Sequence, residues 1–371
     1  MIIRNVSPMI SIAAMAATIR RYLMRNTPVC RFCLSCLLAV TALSSVWGRE
    51  ITDMAGRKVT LPDKIAKVYS SDPYTTVLLY MVAPDLQLGL QPGCLPFREE
   101  DMRFVRKEVA GLPLLATQPP GGERPQVNLE AILALKPDLV LAMGSKGRDY
   151  QRTEERFARI NLPVVFLDID SIPKYPAGIE FLGRLLGHES RAERLSAYAK
   201  RVLAEVEKTV AAIPPDRRVR VYYAESADGL ATESDRSLHA DAIRLAGGAI
   251  VHRGELKTHQ GMEKLSLEQV LLYDPEVIIS QEPDFARNAY RDPRWQKVKA
   301  VANHRIYTVP RTPYNWIDRP PAVMRILGVQ WLASLFYPDQ YRVDIRRRIR
   351  EFHQLFMGVE VTDADLDKWL E

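Results

Sequence analysis

The chain has 371 residues, of which 47% are hydrophobic and 26% charged, with a formal charge of +6. The length exceeds one average domain and suits two lobes with substantial cores, and the composition excludes a disordered or fibrous chain. The positive charge would suggest a nucleic-acid or membrane partner, but its distribution excludes both readings. Residues 1–48 hold five arginines (Arg4, Arg20, Arg21, Arg25, Arg31) and no acidic residue, which leaves the remainder within about one charge of neutral.

Residues 1–48 read as a targeting segment. Arg25 and Arg31 precede an apolar run, 32–43, which has the length of a signal-peptide core and is too short to cross a bilayer. Ser44, Ser45 and Gly48 offer a cleavage region, so cleavage is expected near Gly48, with Met24 as an alternative start to Met1. No later stretch reaches 18 uninterrupted apolar residues, and the mature protein is expected to be soluble and periplasmic. Cys30, Cys33 and Cys36 could begin an iron–sulfur site by their spacing, but they fall inside the export signal. Only Cys94 follows, which excludes an intrachain disulfide in the mature chain and suggests a small packing residue.

Beyond the leader, residues 51–62 (ITDMAGRKVTLP) predict a hairpin turning at Gly56. A short strand follows at 67–71, then a helix over 75–82 and a strand at 87–90. A Pro/Gly-rich loop at 117–126 leads into NLEAILALKPDLVLA (128–142), and a further strand is expected at 164–168. From 189 to 212 there is no Gly or Pro, and Leu195, Ala199, Val202, Val206 and Val210 keep helical spacing; Pro214 and Pro215 end this long rod. Strand 219–225, a helix around 240–246 stopped by Gly247 and Gly248, SLEQVLLYDPEVIIS (266–280), strand 305–310 and helices over 321–336 and 344–356 complete the order.

Segments 128–142 and 266–280 repeat one unit, with Leu129/Leu267, Glu130/Glu268, Leu133/Leu271 and Pro137/Pro275 identical. In each, Asn or Ser caps a helix, Lys-Pro or Asp-Pro stops it, and a β-branched strand begins at once. The alternation of strands and helices predicts parallel sheets, and the repeat predicts two related lobes flanking the long helix. We expect an α/β protein with two Rossmann-like lobes, residues 49–186 and 214–371, joined by a linking helix at 187–213. Ligands bind outside the carboxyl ends of such strands, so loops 71–74, 143–146, 169–172, 226–230, 281–285 and 311–318 should converge on one cleft.

ITDMAGRKVTLPDKIAKVYS, NLEAILALKPDLVLA, and AGG (246–248) followed by SLEQVLLYDPEVII resemble the substrate-binding proteins of ABC importers for iron–siderophore complexes, haem and cobalamin. The resemblance covers nearly the whole mature chain. It implies two α/β lobes joined by one rigid helix, with a small-molecule chelate between them and no resident cofactor. It also implies a monomer delivering its ligand to a permease dimer with ATPase subunits in the inner membrane. Glu130 and Glu268 match the family's lobe-tip glutamates, which dock on permease arginines; a favourable charge at a helix start also accounts for each.

The stretch TPYNWIDRPP (312–321) aligns with a cleft loop of that family. Tyr314 and Trp316 offer rings for stacking, Tyr314 an oxygen ligand, Asn315 an amide, and Arg319 a partner for a ligand carboxylate. Trp316 as a core anchor and Arg319 as a surface ion pair are the competing readings. Tyr74 and the 118–124 loop are candidates on the opposite lobe, and His259 could complete a chelate's coordination shell. His252, Glu255 and His259 together raise a bare-metal site, at a spacing with no predictive force of its own. The tail at 320–338 departs from the cobalamin proteins and is closer to carriers of iron complexes or oxyanions such as molybdate. No HExxH, GxSxG or GxxxxGK motif occurs, so an enzyme is not expected.

Overall fold

The computed structural model describes residues 48–91, 94, 99–117, 126–144, 150–254, 261–320 and 322–370. The leader, the 118–124 loop, Glu255 and His259 lie outside the described residues.

Strands β1 (Gly48–Thr52) and β2 (Lys58–Pro62) pair around a turn at Gly56, whose φ of +83° favours glycine. Asp53 fixes this ribbon to the first lobe. Its carboxylate accepts the backbone N–H groups of Ala55, Arg57 and Phe166 and pairs with the Arg57 guanidinium at 2.9 Å.

In the first lobe, β3 (Val68–Ser70), β4 (Leu139–Met143) and β5 (Val164–Leu167) form a parallel sheet in that order, Val68 opposite Leu139 and Val140 opposite Val164. Helix α1 (Pro73–Val82) follows β3, α2 (Leu129–Leu135) precedes β4, and α3 (Gln151–Ala158) precedes β5. Helix α4 (Tyr175–Leu186) then turns at Gly187 into α5 (Glu189–Ala211), the long linking helix of 23 residues, roughly 35 Å.

The second lobe repeats the plan. Strands β6 (Arg220–Ala224), β7 (Ala249–Ile250), β8 (Val277–Ser280) and β9 (Ile306–Thr308) form a parallel sheet in the order β7-β6-β8-β9. Its helices are α6 (Asp241–Leu245), α7 (Leu267–Tyr273) and α8 (Pro283–Ala289). Helices α9 (Arg325–Phe336), α10 (Ile345–Phe352) and α11 (Asp363–Leu370) follow, with a π-helical turn over His353–Met357 after α10.

The period-2 alternation of the strands sorts their side chains into separate cores. Tyr69, Val140, Ala142, Val164 and Phe166 face Ile132 of α2 and Phe157 of α3. Tyr222, Ala224 and Ile278 face Val270 of α7 and Phe285 of α8. The opposite faces, Leu139, Leu141, Val165 and Leu167 in one lobe and Val221, Tyr223, Val277 and Ile279 in the other, share one continuous core with the inner stripe of α5. Leu195 and Val202 on that stripe are fully buried, each stabilising by about 1.5–3 kcal/mol. The expected architecture is therefore present: two parallel sheets joined by one long helix.

The repeated unit is the same in three dimensions. Asn128 accepts the Ala131 N–H at 3.0 Å, and Ser266 the Gln269 N–H at 3.3 Å. Both helices end on a left-handed residue, Lys136 at φ 53° and Asp274 at φ 41°. Lys67 caps the Leu135 carbonyl at 3.3 Å, and Arg220 caps that of Tyr273. Asp138 and Glu276 return the favour to the backbone N–H groups of Lys67 and Arg220, at 2.8 and 3.1 Å.

Two expectations change in detail, and α3, α4, α8 and α11 are additions to the expected elements. The strand expected at 87–90 is reduced to single bridges, Val68 with Gln87 and Leu90 with Leu114. The helix expected over 344–356 becomes α10 plus the π-helical turn, whose Gly358 cap has φ +68°. Helix α11 was not foreseen. It returns to the first lobe, where Arg103 pairs with Asp365 and the Phe104 ring meets the Trp369 ring edge-on at 4.9 Å.

Candidate ligand cleft

The carboxyl ends of β3 and β4 are tied together by Asp72. One oxygen caps α1 through the Thr75 N–H at 2.9 Å, and the other accepts the Met143 N–H at 2.8 Å. Burial raises its pKa despite these donors. Cys94 packs beside it, its sulfur 3.6 Å from the Pro73 carbonyl, and burial pushes the thiol far up, as suits a packing residue. Tyr74, in the first turn of α1, is half-buried against the shared core, and its field reaches the Tyr175 hydroxyl.

On the second lobe the loop after β9 runs back toward these residues. Tyr314 is 2% exposed and its ring meets Tyr80 of α1 edge-on at 6.3 Å, so a second-lobe loop reaches a first-lobe helix. Burial drives its hydroxyl pKa well above the usual value. Asn315 donates to Gln281 at 2.6 Å and accepts the Ile317 and Asp318 N–H groups at 3.0 Å, while Gln281 donates to the Tyr223 hydroxyl. This chain fastens β6 and the loops after β8 and β9 to one another.

Trp316 takes the core position. It is 0% exposed, donates Nε1 to the Thr312 carbonyl at 3.0 Å, and is surrounded by the rings of Trp331, His353 and Trp369 at 6.2–6.3 Å. Its ring has no open face in this conformation, because the loop backbone lies against α9. A Cβ on Gly328 would stand 2.1 Å from the Trp316 carbonyl oxygen, so only glycine permits that approach.

Arg319 has the densest electrostatic surroundings. Its Nε donates to Glu225 at 2.9 Å and its Nη2 to Glu233 at 3.0 Å, with Asp318 at 3.5 Å. All three acidic side chains are fully buried, whereas the Arg319 side chain is 34% exposed. Asp318 is also bound by His239 at 2.7 Å, and Glu233 accepts the Met262 N–H at 3.0 Å. Burial pushes Glu225 up to about 9, beyond what the Arg319 charge can offset, so it is protonated at neutral pH. Arg319 itself has φ 55°, a left-handed conformation that costs about 1–3 kcal/mol in a non-glycine residue and is held by these contacts. Sequence reading missed Glu225, Glu233, Asp318 and Asp72. Their one legible signal was position, since Asp72 and Glu225 lie within two residues of strand ends and Asp318 closes the 311–318 loop.

A cross-lobe clamp closes the floor. Arg325 of α9 donates Nε to the Tyr175 hydroxyl at 2.7 Å, and Asp241 accepts the Ile172 N–H at 3.1 Å. Burial pushes the Tyr175 hydroxyl up to about 12. Beside the end of β9, a cavity of about 580 Å³ opens between Asp101, Arg311, Thr312 and Trp369.

His252 is not free for a metal: Tyr273 engages one ring nitrogen at 3.0 Å and Glu263 the other at 3.1 Å. Among the described residues no group of three or more His, Cys, Asp or Glu could hold a metal ion. Glu130 and Glu268 are exposed at the starts of α2 and α7, one in each lobe.

Two sheets joined by one helix, with strand ends facing a shared floor, is an architecture with known relatives. A family described as periplasmic binding protein matches residues 101–313. The chain belongs to the periplasmic binding protein family. An ABC transporter solute binding protein from Sulfurospirillum deleyianum superposes with a TM-score of 0.79 at 38% identity, over 86% of this chain and 98% of that one. The molybdate-binding protein MolA of Haemophilus influenzae is 26% identical, over 87% of this chain and 95% of its own. The high-affinity heme uptake system protein IsdE of Staphylococcus aureus is 24% identical, over 72% and 87%. This periplasmic binding protein thus has solute-binding transport proteins as relatives, and among its described residues no helix is long and apolar enough to cross a membrane.

Proposed function

We propose that this periplasmic binding protein captures a metal chelate (an iron–siderophore, haem or a similar complex) between its lobes and delivers it to an ABC permease dimer. The observation that carries this reading is Arg319 held by Glu225, Glu233 and Asp318. An oxyanion site needs donors whose charge is not already matched. Here the one guanidinium among these groups is matched by buried carboxylates, so a small oxyanion charged on every face meets repulsion, while a larger chelate can turn an uncharged face to the cluster. Tyr74, Tyr314, Asn315 and Arg319 are the proposed contacts, with His259 as a further candidate.

A second reading is a molybdate carrier, favoured by the full-length likeness to MolA. Titration calorimetry separates the two. The proposal expects saturable heat from iron(III)–siderophore, haem or a related chelate and none from molybdate. Saturation by molybdate, with every chelate silent, would replace it.

In this reading residues 1–48 export the protein, and sequencing of the periplasmic form should begin close to Arg49. An uncleaved cytoplasmic product would contradict it. Glu130 and Glu268 are the proposed permease contacts, one on each lobe.

A further inference from the structure

Four large apolar side chains are exposed among the described residues: Leu114 at 52%, Leu133 and Met262 at 42%, and Leu272 at 78%. Two of the four stand on the two seven-residue helices of the repeated unit, Leu133 on α2 and Leu272 on α7. Leu133 lies three residues after Glu130, and Leu272 four residues after Glu268. Both spacings put the leucine on the same helix face as the glutamate, one turn further on.

Among the described residues the Glu268 carboxylate is met only by its own helix start, through Ser266 and its own backbone N–H, and by the field of Arg294. Neither glutamate forms an ion pair among the described residues. Arg294, whose field reaches Glu268, is already held by Asp292 at 2.8 Å. The helices bury a single residue each, Ile132 and Val270, so both leucines are spare to the two cores.

We infer that Leu133 and Leu272 are apolar anchors of a two-point docking surface, each paired with its neighbouring glutamate. The partner is a membrane protein that presents, on each of two related halves, a cationic side chain beside an apolar pocket. The inference rests on the proposed permease docking of Glu130 and Glu268 and adds to it. The exposed carboxylates suit a cationic partner, and the duplication of the unit places one such carboxylate on each lobe; the exposed leucine beside it is Leu133 in the first copy and Leu272, one position beyond the repeat's Leu271, in the second. An exposed leucine within one turn of each carboxylate supplies apolar area, which a pair of charges alone lacks at a solvated contact.

The test is binding of the full-length, leader-processed protein to its detergent-solubilised permease–ATPase complex, measured by interferometry. Leu133→Asp and Leu272→Asp should each weaken binding at least tenfold, while Leu114→Asp, at an exposure between theirs but off these helices, binds as wild type. Thermal melts confirm that each variant is folded, which these solvent-facing positions permit. Glu130→Lys and Glu268→Lys serve as the second arm. If they fail to bind while either leucine variant binds normally, the leucine assignment is overturned and the glutamate docking stands. If glutamate and leucine variants all bind as wild type, both are overturned. If only the leucine variants fail, the anchors stand and the glutamate docking falls.

Discussion

Arg319, in the loop after β9, reaches Glu225, just past β6, Nε to carboxyl oxygen at 2.9 Å, and the Glu225 side chain has no exposure of its own. Removing the cation leaves Glu233 and Asp318 buried without their counter-charge and strips Glu225 of a hydrogen-bond donor. Arg319→Ala should therefore cost about 3 kcal/mol in urea denaturation at neutral pH. A loss within about 0.5 kcal/mol, typical of surface substitutions, would show that the cluster is not coupled in this way.

Two buried groups set opposite pH limits. Glu225 is raised from 4.5 to about 9, so the folded state holds a proton that the unfolded chain releases, and stability falls as pH rises across that window. His353, buried between the Ile349 carbonyl and aromatic rings, is lowered from 6.5 to about 4, so stability falls as pH drops through that range. Glu225→Gln should flatten the alkaline limb of a stability–pH curve and leave the acid limb in place. An unchanged alkaline limb would remove Glu225 as its source.

Trp316 and Tyr314 should separate as core and cleft. Trp316→Ala empties a closed aromatic cage and should cost about 3–5 kcal/mol of stability. Among the described residues no group hydrogen-bonds the Tyr314 hydroxyl, so Tyr314→Phe should leave the fold nearly as stable while weakening chelate binding by about 1 kcal/mol. Equal chelate affinity in calorimetry would take the hydroxyl out of the site.

What was legible in the sequence follows a physical line. The repeated unit could be read because caps, stop signals and the switch from helical to strand periodicity are all local, from Asn128 to Leu141 and from Ser266 to Ile279. Helix α4 escaped because Gly178 and Gly183 lower its helical propensity. Its stability comes instead from packing on α5, where a Cβ at Gly183 would fall 2.2 Å from that of Ala192. Glu225, Glu233 and Asp318 come from separate loops, and no spacing links them. The direction of the Trp316 ring is a tertiary matter as well, decided by Trp331, His353 and Trp369.

Glu130→Lys and Glu268→Lys should bind ligand as wild type, because both side chains are exposed and neither is among the proposed ligand contacts. Charge reversal at a docking contact should cost several kcal/mol and abolish stimulation of the transporter's ATPase. Full stimulation by the double variant would show that the repetition reflects shared architecture alone.

The most direct measurement is the identity of the ligand carried by protein released from the periplasm, read by native mass spectrometry with absorbance and metal analysis on the same sample. The account predicts a mass increment and spectrum belonging to an intact metal chelate at one per chain. Molybdate or a bare divalent ion at one per chain would contradict it.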